Sequence, residues 1–115
     1  MNADIIILAS PNYYGSYSGV LKNALDYCGR DEFPGKTVGL VKIAGGTNPG
    51  IALVHLRAVS WTPNAWTLPT EIVVPNSSEL ITSDGFADPE LAERAHRLGK
   101  ELVRYAGVLS YACRT

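Results

Sequence analysis

Residues 9–27 read ASPNYYGSYSGVLKNALDY, and a change of pattern inside them sets the fold class. The stretch leaves a continuous apolar run, Ile5-Ile6-Ile7-Leu8-Ala9. That run is short, β-branched and without polar alternation, as expected of a strand covered on both faces. Ser10-Pro11-Asn12-Tyr13-Tyr14-Gly15-Ser16-Tyr17 then interrupts it with turn-forming residues and reads as a loop. From about Gly19 to Cys28 the period becomes helical, with Ser18 as N-cap and Val20, Leu21, Ala24, Leu25 and Cys28 as the apolar face. Lys22, Asn23 and Asp26 are left nearer solvent, and Gly29 closes the helix. Strand, loop and helix in this order form the first half of an α/β unit with parallel strands.

The same order repeats downstream. Thr37–Ile43 reads as a second strand, followed directly by the loop Ala44-Gly45-Gly46-Thr47-Asn48. Asn48 and Pro49 form an N-cap and a first helical position. The helix they open, Gly50 to about Ser60, is apolar on most sides through Ile51, Leu53, Val54, Leu56, Ala58 and Val59. A helix without a polar face predicts burial in something larger, such as a subunit interface. Trp61-Thr62-Pro63-Asn64 ends it, and residues 65–68 and 71–74 read as a third strand broken at Pro69. Pro75-Asn76-Ser77-Ser78 leads out of that strand. Asp88 caps the last helix and Pro89 opens it, with Leu91, Ala95, Leu98, Leu102 and Tyr105 on one stripe. Glu90 with Arg94, and Glu93 with Arg97, have the spacing of helical ion pairs.

A chain of 115 residues holds one domain and one core. A formal net charge of -1 gives no electrostatic reason to expect nucleic acid or an anionic membrane as partner. No apolar run has the length of a bilayer span, and Met1-Asn2-Ala3-Asp4 lacks the basic region of a signal peptide. Cys28 and Cys113 stand in no metal or redox spacing, which fits two reduced thiols in a cytoplasmic protein. Residues 5–9 carry no charge or proline to protect them as a sheet edge, so a neighbour is expected there. Either a strand precedes them in a longer parent chain or another subunit supplies the pairing.

Residues 9–27 resemble the NADPH-dependent FMN reductase family, a flavodoxin-like group that includes quinone, azo-dye and chromate reductases. Its members read T/S-P-x-Y-x-G-S-x-x-G-x-L-K-N-A-L-D at this place, and the match here is almost continuous. Similarity continues through Phe33-Pro34-Gly35-Lys36, Ala44-Gly45-Gly46, His55-Leu56-Arg57, Pro75-Asn76-Ser77 and Asp88-Pro89-Glu90-Leu91-Ala92-Glu93-Arg94. The resemblance implies an α/β fold, a three-layer flavodoxin-like parallel sheet with helices on both faces. Residues 1–115 would be the C-terminal two-thirds, approximately, of that domain, without the N-terminal G-S-x-R-x-x-S loop that binds the FMN phosphate. In the sheet order of such folds, residues 5–9 would be the third strand and would pair with the absent first.

The resemblance further implies an FMN-dependent NAD(P)H oxidoreductase that passes hydride from NADPH or NADH through FMN to free flavin, quinone or a similar small acceptor. Pro11, Asn12, Tyr13, Tyr14, Gly15 and Ser16 of one loop, and Ala44, Gly45 and Gly46 of the other, would face the isoalloxazine ring. Gly15, Gly45 and Gly46 let backbone come close, while Tyr13 and Tyr14 offer an aromatic wall. No residue is assigned as acid, base, nucleophile or metal ligand. Blander readings stand beside these: strand-to-helix turns use glycine anyway, and adjacent tyrosines more often pack. Ser16 and Ser18 have no histidine or carboxylate partner at hand, which makes them poor nucleophiles, and His55 and His96 read as structural or surface residues. A flavodoxin-type electron carrier, or an inactive fragment acting only as an oligomerising module, are the alternative functions. A homodimer or homotetramer is expected, with the helices over 20–28 and 51–60 as interface candidates.

Overall fold

The computed structural model describes residues 3–28, 31–47, 52–61 and 65–106. The expected cap at Asn48 and Pro49, the helix closure at Gly29 and the tail thiol Cys113 lie outside them. Three parallel strands, β1 (Ile5–Pro11), β2 (Thr37–Ile43) and β3 (Trp66–Val74), lie side by side in the order β1-β2-β3. Helices α1 (Gly19–Asp26) and α2 (Ala52–Trp61) follow β1 and β2. After β3 come a short helix α3 (Ser77–Leu80), the two-stranded hairpin β4 (Ile81–Thr82) and β5 (Gly85–Phe86), and the long helix α4 (Pro89–Tyr105).

Strand alternation divides the core in two, one part on each face of the sheet. On one face Leu8, Val38 and Leu40 meet Leu53 and Leu56 of α2, with Leu21 and Leu25 of α1 at the margin. On the other, Leu68, Ile72 and Val74 meet Leu91, Leu98 and Leu102 of α4. The molecule is therefore a three-layer α/β sheet with helices on both faces, as expected. β2 is central and almost wholly buried, its polar Thr37 and Lys42 included. Gly39 sits where a Cβ would come within 3.2–3.4 Å of Leu98 and Leu102, so its missing side chain lets α4 lie close to the sheet.

Several local expectations change. β3 is one strand through Pro69, not two segments. Its pairing with β2 shifts there, so that Leu68, Pro69 and Thr70 stand opposite Gly39. Proline has no N–H to lose, which makes an irregular rung the place that tolerates it. Arg57 of α2 closes the gap. Its guanidinium donates to the carbonyls of Thr67 and Leu68 at 3.5 and 2.9 Å, and to Glu71 Oε1 at 2.6 Å.

α1 ends at Asp26, and of its expected apolar face only Leu21, Leu25 and Cys28 reach the core. Val20 and Ala24 are exposed, because one side of a helix this short is all that the sheet covers. The ion pairs Glu90–Arg94 and Glu93–Arg97 do not form. Arg94 Nε donates instead to the Glu71 carbonyl at 2.7 Å, and Arg97 reaches one turn onward to Glu101 at 3.0 Å. Asp88 and Pro89 do cap and open α4, and Leu91, Leu98 and Leu102 are buried, with Ala95 and Tyr105 packed against them.

Candidate functional site

Loops leaving the carboxyl ends of β1 and β2 stand next to each other, at the end of a parallel sheet where ligands bind. The first is anchored by Asn12 N–H donating to the Ile43 carbonyl at 2.8 Å. It then makes a tight two-residue turn, in which Tyr13 and Ser16 exchange both backbone hydrogen bonds at 2.9 and 3.0 Å. Tyr14 (φ 51°) and Gly15 (φ 79°) are the central residues, both left-handed, as such a turn demands. Glycine adopts this conformation freely, whereas a tyrosine there is strained. Tyr13 and Tyr14 are both exposed, so neither ring is spent on the core.

The turn is tied to α2. Ser16 Oγ lies 2.6 Å from His55 Nδ1, a contact across 39 positions of sequence. The sequence reading that gave Ser16 no histidine partner is thereby corrected. Helix α2 packs over β2 and carries His55 back over the first loop, and Tyr17 stands edge-on to the same imidazole. Among the described residues no carboxylate hydrogen-bonds His55, so the pair has no third member to orient a base, and its position inside the turn makes it a brace. The helical spacing His55-Leu56-Arg57, with Leu56 buried, was the signal for it: a polar residue beside a core position must emerge at the helix margin. Ser18 caps α1 by accepting from Leu21 N–H at 3.1 Å, as expected.

The second loop is held against the exit of β3. Ala44 N–H donates to the Val74 carbonyl at 2.8 Å, and the Ser77 N–H returns to the Ala44 carbonyl at 2.9 Å. Asn76 N–H donates to the Gly46 carbonyl at 3.1 Å. Gly45 and Gly46 are exposed, and a Cβ added to either meets no atom within 4 Å. Neither takes a positive φ. Glycine there is required by neither packing nor backbone geometry of the described residues, which leaves an uncrowded stretch of main chain facing outward.

Beneath the loops lies a polar row that the sequence reading overlooked. Ser10 and Lys42 are register partners, both buried on the α1/α2 side of the sheet. Ser10 Oγ is used twice, accepting from Ser18 N–H at 2.8 Å and donating to the Pro11 carbonyl at 2.8 Å. Asn12 Oδ1 is buried without a hydrogen-bond partner among the described residues. A Val-Lys-Ile sequence at the end of an apolar strand was the cue, since alternation puts that lysine on the Leu40 side. A separate cavity of about 350 Å³ opens at the first turns of α4, lined by Asp88, Glu90, Leu91, Glu93, Arg94 and Arg97. It touches neither loop. Among the described residues no group of three His, Cys, Asp or Glu side chains converges as a metal site, and no helix is long and apolar enough to cross a membrane.

The model of the NADPH-dependent FMN reductase family matches residues 1–79. The FMN-dependent NADPH-azoreductases of two Staphylococcus aureus strains, USA300 and NCTC 8325, are each 38% identical over 114 residues. These matches cover 96% of this chain and 61% of the relative, so the chain spans about three-fifths of the length of the curated proteins it matches. Among solved structures, an apo-form NADH:FMN oxidoreductase, EMOB, superposes with a TM-score of 0.78 at 23% identity over 91% of this chain and 55% of its own. An oxidoreductase from Corynebacterium diphtheriae gives a TM-score of 0.69 at 23% identity, covering 95% and 57%. At that identity the structural matches speak for the fold.

Proposed function

Because the chain belongs to the NADPH-dependent FMN reductase family, we propose that it binds FMN and serves as an NAD(P)H oxidoreductase for a small acceptor such as free flavin or quinone. The observation that carries this reading is the pair of loops itself. Two adjacent strands end in turns that present open main chain at Gly45 and Gly46 and exposed tyrosines, above a buried carboxamide oxygen without a partner. These residues fit a flat, polar-edged ring.

Pro11, Asn12, Tyr13, Tyr14, Gly15 and Ser16 would line one side of the ring, and Ala44, Gly45 and Gly46 the other. Held between these loops, FMN would supply the redox chemistry that links nicotinamide to acceptor. The chain's own share is to orient and shield. The His55 brace fixes the Tyr13–Ser16 turn, the bonds from Ala44 and Asn76 fix the second loop, and the N-terminus of α1 turns its positive dipole end toward the same edge of the sheet. The reading assigns no described side chain as acid or base.

Titration of the 115-residue chain with FMN, followed by flavin fluorescence, tests the reading. Saturable binding tighter than about 1 mM is expected. NADPH added without oxygen should then bleach the bound flavin's absorbance. Binding weaker than that limit would reduce the chain to the inactive-fragment alternative.

A further inference from the structure

Leu8 pairs with Leu40 and Ser10 with Lys42, and Leu8, Val38 and Leu40 share one core cluster. Alternation therefore sets Ser10 and Lys42 on the α1/α2 side of the sheet, in the last rungs before the two loops, and Asn12 opens the first loop one residue past β1. Lys42 is only 2% exposed. Among the described residues it forms no ion pair, and no side-chain hydrogen bond engages it. A buried lysine is ordinarily paired, because stripping an ammonium of water is costly. Ser10, its neighbour on β1, is already used as both donor and acceptor. Asn12 Oδ1, farther toward the loops, lacks the donor it needs.

The loop end of the sheet thus carries an unmatched cationic donor just under the loops and an unmatched acceptor at the start of the first loop. Two residue steps lie between Lys42 and Ala44, about 7 Å at the usual rise, which a four-carbon stem can span. A ligand that satisfies both groups offers an electron-rich carbonyl to the ammonium and an N–H to the carboxamide oxygen. The pyrimidine edge of a flavin has that combination, and it becomes negatively charged on reduction at neutral pH.

We propose that Lys42 and Asn12 receive the pyrimidine edge of the flavin, with the Lys42 ammonium favouring the reduced, anionic form over the oxidised one. This rests on the FMN reading above. It makes Lys42 a residue that sets the flavin's potential, and it explains a buried charge that the fold itself does not use.

The test compares the wild-type chain with Lys42→Met and Lys42→Arg. Affinity is measured for oxidised and for chemically reduced FMN, the midpoint potential by equilibration with a reference dye, and the thermal midpoint of each apoprotein. Lys42→Met is expected to bind oxidised FMN nearly as well as wild type and reduced FMN about tenfold more weakly. That ratio lowers the potential of a two-electron couple by about 30 mV. Lys42→Arg should restore the potential. Apo Lys42→Met should be at least as thermostable as wild type, since an unpaired buried charge has been replaced by an apolar chain of similar length.

An unmoved potential in Lys42→Met, with wild type binding FMN, overturns this inference alone. Equal loss of both affinities together with apoprotein stability makes the lysine structural and overturns it as well. A wild-type chain that ignores FMN overturns the underlying reading and this one with it.

Discussion

Tyr14 carries the clearest local strain in the candidate site. It occupies a left-handed position (φ 51°) with its ring wholly in solvent, so its side chain contributes no packing within the chain to offset the conformation. Replacing it by Gly or Asn should stabilise the apoprotein by about 1 kcal/mol, or roughly 4 °C in thermal midpoint. If the ring is part of the flavin slot, FMN affinity should fall in the same variant, and thermal melts beside FMN titrations separate the two effects. An unchanged melting temperature would mean that the turn holds Tyr14 without cost. At this scale the sequence was only partly legible. The glycine after Tyr14 marked a turn, but the demand for two left-handed residues is ordinarily announced by Asn or Asp followed by Gly, and here a tyrosine hides it. The Ser16–His55 contact was illegible for another reason: 39 positions separate partners that only the packing of α2 on β2 brings together.

Between elements, the joint of α2 with β3 rests on Arg57. Its guanidinium serves two carbonyls at the irregular rung and one carboxylate, and the ion pair is about two-thirds buried. Arg57→Met should cost about 1–3 kcal/mol, chiefly from carbonyls left without donors. Arg97→Ala removes an exposed helical pair and should change stability by less than about 0.5 kcal/mol. Urea denaturation of both variants checks the contrast, and equal effects would show that the Arg57 bonds are not special. The sequence marked the position of β2 to the residue, because a mostly apolar, β-branched stretch has turn signals at each end. It misread β3 at Pro69, since a proline also marks breaks and nothing local says that an arginine from another element will bridge the gap. The β4–β5 hairpin was passed over although Ser83-Asp84-Gly85 lies between Ile81 and Phe86. Strands of two residues have too little alternation to register.

For the molecule as a whole, the apolar excess of α2 is largely explained from within. Ala52, Leu53 and Leu56 are buried against the sheet, which leaves Val54 (66% exposed) facing outward. On the same side of the sheet Val20 of α1 is 83% exposed, and α1 has no buried residue at all. We propose that these two helices meet a second copy of the chain. Sedimentation velocity at micromolar concentration should find a dimer or larger species, shifted toward monomer by Val20→Asp with Val54→Asp. A wild-type monomer at that concentration would contradict it.

The free side of β1 has a different character. Ile7 is 54% exposed there, and β2 is the strand's one partner among the described residues. Thr37 N–H reaches the Asp4 carbonyl and Asn12 N–H the Ile43 carbonyl, so in a parallel ladder the even-numbered amides of β1 are committed to β2. The amides of Ile5, Ile7 and Ala9 point the other way, and Pro11 has none. The free side is therefore a short comb with three teeth and a built-in stop. Any strand that joins it, from whatever source, finds its phase already chosen, and the joining ends level with the first residue of the candidate site.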